Sequence, residues 1–222
     1  MRIPLPTLQE GSVTVRPIRL RDAKSLEREL AVNRGWLKRW EATNPGNGPF
    51  YDARGGIRLL QGMARQGVGM PLVIEVDGEF AGQINVSQIA YGSLSSCAIG
   101  YWIAERFAGR GATPTSVALV TDHVFLQLGL HRAEICIRPE NQPSLRVVEK
   151  LGFRYEGLRR RYIHIDGSWR DHFAFALTAE DVPFGVLKRW REGKVDSSTA
   201  SVPLADQIAA GVTSPGEHPP IG

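Results

Sequence analysis

Cysteine is scarce: the 222-residue chain has two, Cys97 and Cys136. That excludes a disulfide framework and a zinc site built on cysteine. No run approaches the ~20 apolar residues of a membrane span. Met1 to Glu10 is a mixed polar and proline segment without the apolar core of a signal peptide. The expected setting is therefore a reducing cytoplasm with no membrane, and the sequon Asn85-Val86-Ser87 reads as a chance match. Strong charge of one sign is also missing, since 27 Lys and Arg against 23 Asp and Glu leave a net charge of +4. So small an excess fits an anionic cofactor or a ribosome-like environment and singles out neither. Aromatic residues are absent from Gly193 to Gly222, where Gly, Pro, Ser and Thr dominate. Such a stretch offers too little apolar surface to offset its ordering entropy. It is expected to be a disordered tail, residues 193–222. Residues 1–12 are expected to be loose, which leaves one domain at 13–192.

Within that body the apolar spacing changes period several times. Val13 to Ile18 alternates as a strand, and Asp22 caps a helix with Leu26 and Leu30 on one face. A helical piece from Asn33 to Glu41 carries Trp36, Leu37 and Trp40, Thr43 to Pro49 is a loop, and Ala53 to Ala64 is helical. Three strands are predicted at Pro71–Val76, Glu79–Gln88 and Ser96–Ile103, the first two joined by the turn pair Asp77-Gly78. Thr113-Pro114 reads as an N-cap with proline at the first helical position. Val117, Val120, Val124 and Leu128 follow at helical spacing up to Gly129. A strand at Arg132–Arg138, a short helix from Pro143 to Leu151-Gly152, and strands at Phe153–Ile165 and Trp169–Leu177 around Asp166-Gly167 complete the order. The result is a mixed α/β fold: an antiparallel meander followed by a β-α-β-α crossover.

Chemistry concentrates in Ile99-Gly-Tyr-Trp-Ile-Ala-Glu-Arg-Phe-Ala-Gly-Arg-Gly-Ala-Thr-Pro114, a strand running through a glycine loop into a helix. Gly109 and Gly111 let backbone N–H groups approach an anion, the helix start adds positive partial charge, and Arg110 adds a formal one. A plain strand-to-helix turn would need the same glycines. No Gly-Lys-Ser/Thr follows, which excludes a Walker loop, and the third glycine of a dinucleotide fingerprint is missing. A second segment, Arg138-Pro-Glu-Asn-Gln-Pro-Ser-Leu-Arg-Val-Val-Glu-Lys-Leu-Gly-Phe153, puts an Asn at a strand end before a short helix.

Together these segments resemble the GNAT N-acetyltransferases. Arg106-Phe-Ala-Gly109-Arg-Gly111 resembles that family's acetyl-CoA loop, and Asn141…Ser144 with Glu149-Lys-Leu-Gly-Phe153 its second cofactor motif. Arg16-Pro-Ile-Arg-Leu-Arg-Asp22, Trp36-Leu-Lys-Arg-Trp40, Gly129-Leu-His-Arg132 and Asp166-Gly-Ser-Trp-Arg-Asp-His172 look like the RimJ/RimL-type protein N-terminal acetyltransferases. The resemblance runs from about Val13 to Leu177. It implies a GNAT-like fold, a mixed and mostly antiparallel central sheet with a splayed parallel strand pair, flanked by helices. It implies acetyl-CoA as cosubstrate, no metal, and direct transfer to the α-amine of a protein N-terminus, ribosomal in the closest subgroup. It also assigns residues. Strand residues Tyr101, Trp102 and Ile103 would pair with the pantetheine arm, the backbone amides of Arg110, Gly111, Ala112 and Thr113 would hold the pyrophosphate, and Arg106 and Gly109 would bind the cofactor from the same loop. Asn141 and Ser144 would lie at the thioester.

Many members place a Tyr acid in the helix after the Asn, but the matching residue here is Val148. Ser144 is then the expected acid, with Asn141 positioning water or cofactor; the simpler roles are helping to cap the helix for Ser144 and a helix-entry turn for Asn141. The Glu base of RimL-like enzymes falls near Ile163, which cannot act, and His164 would face the other way. Glu105 and the pair Asp171 and His172 leave the base open, Asp171 suiting equally an ion pair with Arg16 or Arg19. Trp36 and Trp40 would wall the acceptor groove, or simply pack. Arg159, Arg160 and Arg161 read as a solvated edge strand, and direct nucleic-acid binding is not expected. Cys97 and Cys136 read as buried strand residues. A small-molecule amine acceptor, or a silent GNAT-like module binding CoA or RNA, are the competing readings.

Overall fold

The computed structural model describes residues 5–46 and 52–212. Eight strands form one sheet: β1 (Leu8–Glu10), β2 (Val13–Pro17), β3 (Met70–Val76), β4 (Glu79–Ala90), β5 (Ser96–Ile103), β6 (Arg132–Ile137), β7 (Arg154–Ile165) and β8 (Ser168–Thr178). Their spatial order is β1-β2-β3-β4-β5-β6-β8-β7, and every neighbouring pair is antiparallel except β5–β6. The expected meander and crossover are thus present. The two predicted hairpins turn on Asp77-Gly78 and Asp166-Gly167, both residues of each pair at positive φ. That handedness matches strand twist, so the turn residues set the register.

The helices are α1 (Ala23–Val32), α2 (Arg34–Leu37), α3 (Ala53–Gln66), α4 (Ala112–Leu126), α5 (Gln142–Leu151), α6 (Val186–Arg191) and α7 (Leu204–Ala209). On one side of the sheet, α1 and α3 cover Ile18, Val73 and Phe80 with Leu26 and Ile57. On the other, α4 carries the larger core, with Val117, Ala118, Val120 and Val124 fully buried. Helix α4 is buried on almost every side, as a core helix must be. Its buried Ser116 and Thr121 satisfy their hydroxyls on carbonyls one turn back, Ala112 and Val117. Gly82 sits where β4 and β5 approach most tightly: a Cβ there would lie 2.2 Å from the Trp102 carbonyl oxygen.

The structure departs from the sequence reading at five places. Helix α4 starts at Ala112 rather than Thr113-Pro114, because Gly111 in the left-handed region breaks the chain direction first. It also ends at Leu126, short of Gly129. The segment expected as a helix to Glu41 is helical only to Leu37, then turns so that Thr43 pairs with His164 on β7. Residues 8–10, expected loose, add β1 to the sheet edge. The tail expected from Gly193 is packed chain as far as Val212. Ala200 is 4% exposed in the main core, and Asp206 accepts a 2.7 Å hydrogen bond from the Tyr155 hydroxyl. These apolar contacts come one or two per turn, too sparse to register as a pattern. Residues 213–222 of that tail, and 47–49 of the expected loop, lie outside the described residues.

Candidate active site

The parallel strands β5 and β6 pair only through Ser96–Ala98 with Arg132–Glu134. Beyond Ala98 they part, as the splayed pair was expected to do. The gap opens two cavities, about 440 Å³ and about 170 Å³, that share Leu37, Trp40, Tyr101, Trp102, Asn141 and Ser144. They therefore meet back to back at the end of β5 and the start of α5.

The smaller cavity is floored by the glycine loop. Gly109 and Gly111 have φ of +76° and +81°, a conformation that side chains resist. They turn the chain so that the N–H groups of Arg110, Gly111, Ala112 and Thr113 stand at the start of a 15-residue helix. A first helical turn has no carbonyl one turn earlier to receive these protons, and they find no partner among the described residues. Arg146 and Lys150, one turn apart on α5, add two cations to the rim. An anion fits this cradle by both backbone dipole and charge.

The loop arginines lie elsewhere. Arg106, expected at the cofactor, instead grips Glu29 of α1, which is 2% exposed, and stacks 4.4 Å over Phe107. The pairing holds the Glu29 carboxyl below the usual range against the opposing pull of burial. Arg110 lines neither cavity; its guanidinium lies 6.0 Å from the Phe107 ring centre. What Arg106 does is pin the loop, together with Asn33, which accepts a 2.9 Å bond from the Glu105 N–H.

At the junction, Asn141 is the N-cap of α5, its side-chain oxygen accepting from the Ser144 N–H at 3.3 Å. Asn141 thus shapes the entry to the helix. The Ser144 hydroxyl lies at both cavities beside the buried Tyr101 hydroxyl, which finds no hydrogen bond of good geometry. Burial pushes the Tyr101 hydroxyl well above its ordinary range, so it stays protonated. Val148 is fully buried in the core, so no acid is presented from that position. Of the two early tryptophans, only Trp40 reaches the larger cavity. Trp36 lines the smaller one and donates a 3.1 Å bond to the Ile103 carbonyl, holding α2 against the strand end.

The larger cavity has apolar walls, including Ile99, Ile135, Ile163 and Ile165, and a few polar residues. Ile163 does stand there, as expected. His164 faces away, its Nδ1 2.7 Å from the Thr43 hydroxyl. His172 lines this cavity; Asp171 does not, and accepts a 2.7 Å bond from the Arg161 N–H rather than pairing with Arg16 or Arg19. Arg16 pairs instead with Asp22 and Glu75. Glu105 lines neither cavity. Arg159 meets Glu134 on the outer sheet, where β7 is the edge strand. Cys97 is buried and Cys136 lies at the larger cavity; burial pushes both thiols up to about 12, so neither is a nucleophile. Sequence reasoning missed Gln83, Asn85 and Ser87 on β4, Glu41, Arg138, Arg146 and Lys150. Alternation on β4 was the one available signal for the first three. Among the described residues there is no group of His, Cys, Asp or Glu suited to a metal, and no helix long and apolar enough to cross a membrane.

A family model described as an acetyltransferase (GNAT) domain matches residues 12–154. The structure of Mycobacterium smegmatis RimJ in complex with CoA-disulfide superposes with a TM-score of 0.77 at 37% identity, covering 86% of this chain and 94% of that one. The [ribosomal protein uS5]-alanine N-acetyltransferase of Escherichia coli is 30% identical over 184 residues, 81% of this chain and 94% of that protein. The probable N-acetyltransferase YjcK of Bacillus subtilis is 38% identical over 105 residues, and the match spans 58% of its length.

Proposed function

The chain belongs to the GNAT acetyltransferase family, and from that premise we propose that it transfers acetyl from acetyl-CoA to the N-terminal α-amine of a protein, ribosomal proteins being the acceptor class. The observation that carries the reading is the pair of cavities meeting at Ser144, Asn141 and Tyr101. The smaller takes the donor. Its N–H cradle from Arg110 to Thr113, with Arg146 and Lys150, suits the phosphates, and the parted edge of β5 from Ile99 to Ile103 suits the amides of the pantetheine arm. The larger takes the acceptor.

A protein α-amine has a pKa of about 7.7–8.0, so a fair share is neutral near pH 7 and ready to attack. The departing thiolate gains from an acid, and Ser144, with the protonated Tyr101 beside it, supplies one. Asn141 holds Ser144 in place through the cap. Two relatives aligned over 94% of their own length support the acceptor class, one named for alanine of ribosomal protein uS5 and one as RimJ. A polycationic small amine would be better served by an acidic cavity. Glu41, the one carboxylate among the described residues lining this cavity, is already paired with Arg34.

The test is incubation with acetyl-CoA and a library of peptides with free N-termini, read as CoA release. Preferred acetylation of particular first residues is the expected result. Tight CoA binding with no peptide acetylated would overturn the reading in favour of a silent binding module.

A further inference from the structure

We propose that His172 is the general base of the transfer, its Nε2 taking the proton that the acceptor's α-amine loses as the nitrogen attacks the acetyl carbonyl. This rests on the protein N-terminal acetyltransferase reading above.

The ring's hydrogen bonding fixes its chemistry. His172 Nδ1 lies 3.0 Å from the Arg170 carbonyl oxygen. A carbonyl can only accept, so Nδ1 carries the proton, and in a neutral ring the lone pair is on Nε2. The residue is 3% exposed overall yet lines the larger cavity, and the ring's one hydrogen bond among the described residues is made through Nδ1, which leaves Nε2 unengaged. Burial holds the ring neutral by lowering its pKa, the first requirement of a base near pH 7. Its charged surroundings act in both directions. Arg138, from the end of β6, lowers the value further, while Glu140 in the following loop and Asp171 on the same strand raise it. From β7 the ring of Tyr162 packs edge-on at 5.9 Å and Arg159 stands opposite in register. Cys136 from β6 and Glu41 share the cavity lining.

The other candidates are engaged or absent. Glu41 is paired with Arg34, Asp171 with the Arg161 N–H, and His164 with Thr43. Glu105 stands outside the cavity, and the Cys136 thiol is protonated.

The step balances. A C–N bond forms and the C–S bond breaks. One proton passes from nitrogen to His172 Nε2, and one from the Ser144 hydroxyl to the departing sulfur. Solvent then takes the first and restores the second, leaving an amide and CoA thiol.

The test uses the full chain, acetyl-CoA and a peptide beginning with alanine. His172→Asn places a donor where Nδ1 stands and removes the Nε2 lone pair. It is expected to lower kcat on the order of 10²-fold, leave the KM for acetyl-CoA unchanged, and erase the loss of kcat expected of the wild type on acidification into a range below the ordinary histidine value. In His172→Ala, added imidazole is expected to restore part of the rate. A kcat within twofold of wild type, or an unchanged pH profile, overturns the proposal. Imidazole nitrogen NMR on the wild type needs no variant, and a ring protonated on Nε2 at neutral pH also overturns it. A wild type that acetylates no peptide brings down the functional reading and this role together. An active wild type beside an equally active His172→Asn brings down the role alone.

Discussion

Ser144 offers its hydroxyl at the junction of the two cavities while its backbone N–H is tied to Asn141. Removing the hydroxyl should therefore affect chemistry and spare the fold. Ser144→Ala is expected to lower kcat by about 10²-fold, the low end of the usual general-acid contribution, with the KM for acetyl-CoA unchanged; steady-state CoA release measures both. Asn141→Ala should act differently. It removes a cap worth about 1 kcal/mol, so its loss of rate should come with a lower Tm. That Ser144 would stand at the cavity junction could be read from the sequence because a family spacing pointed at it. The placement of Arg106 could not, because what decides its direction is Glu29, a buried residue of α1 that lies 77 positions away in the chain. A charge beside two glycines looks like a phosphate ligand until that partner is known.

The turn from β5 into α4 depends on two residues in the left-handed region. Gly111→Ala forces a side chain into that conformation at a cost of about 1–2 kcal/mol. The strain falls on the N–H cradle, so the KM for acetyl-CoA is expected to rise about 5- to 30-fold with kcat little changed. At this scale most of the fold was legible. The two Asp-Gly hairpins, the period-3.6 run of Val117, Val120 and Val124, and the meander all follow from local patterns. The short elements did not, because β1, α6 and α7 have three to six residues each, too few for a period to show. Nor was the larger cavity legible as a whole. Gln83 and Asn85 on β4, Arg138 just past β6 and His172 on β8 are brought together by the sheet order rather than the sequence.

The whole molecule holds its last described turns against α5 and the far face of the sheet. Leu151 and Gly152 are covered by Arg189 and Val195, and Ala200 lies in the core. Truncation after Gly193 is expected to lower Tm by at least about 5 °C, the shift of a loss of a few kcal/mol in a domain this size. An unchanged Tm would show residues 194–222 to be dispensable.

Acid should act on the fold in two stages. Burial lowers the pKa of His172 and His123 in the folded state. The unfolded chain then binds more protons, and stability falls as pH drops below about 6.5. Pairing with arginine holds Glu29 and Glu156 below their ordinary values. Their contribution is complete above the unfolded carboxylate range and is lost as pH falls through the lowered values. Asp122, whose pKa burial raises, works the opposite way. Net, Tm measured from pH 8 to pH 4 is expected to hold to about 6.5 and then decline.

Among the described residues the two cavities share six. On the proposed assignment, donor and acceptor meet at this junction from separate cavities and are held together. Initial-rate lines at several fixed acceptor concentrations should intersect rather than run parallel, the signature of both substrates being held at once. The same partition separates the two affinities genetically. Glu41, Ile163 and Ile165 can change which polypeptide is chosen without disturbing the grip on the nucleotide, so one donor apparatus can be kept while the acceptor side diversifies.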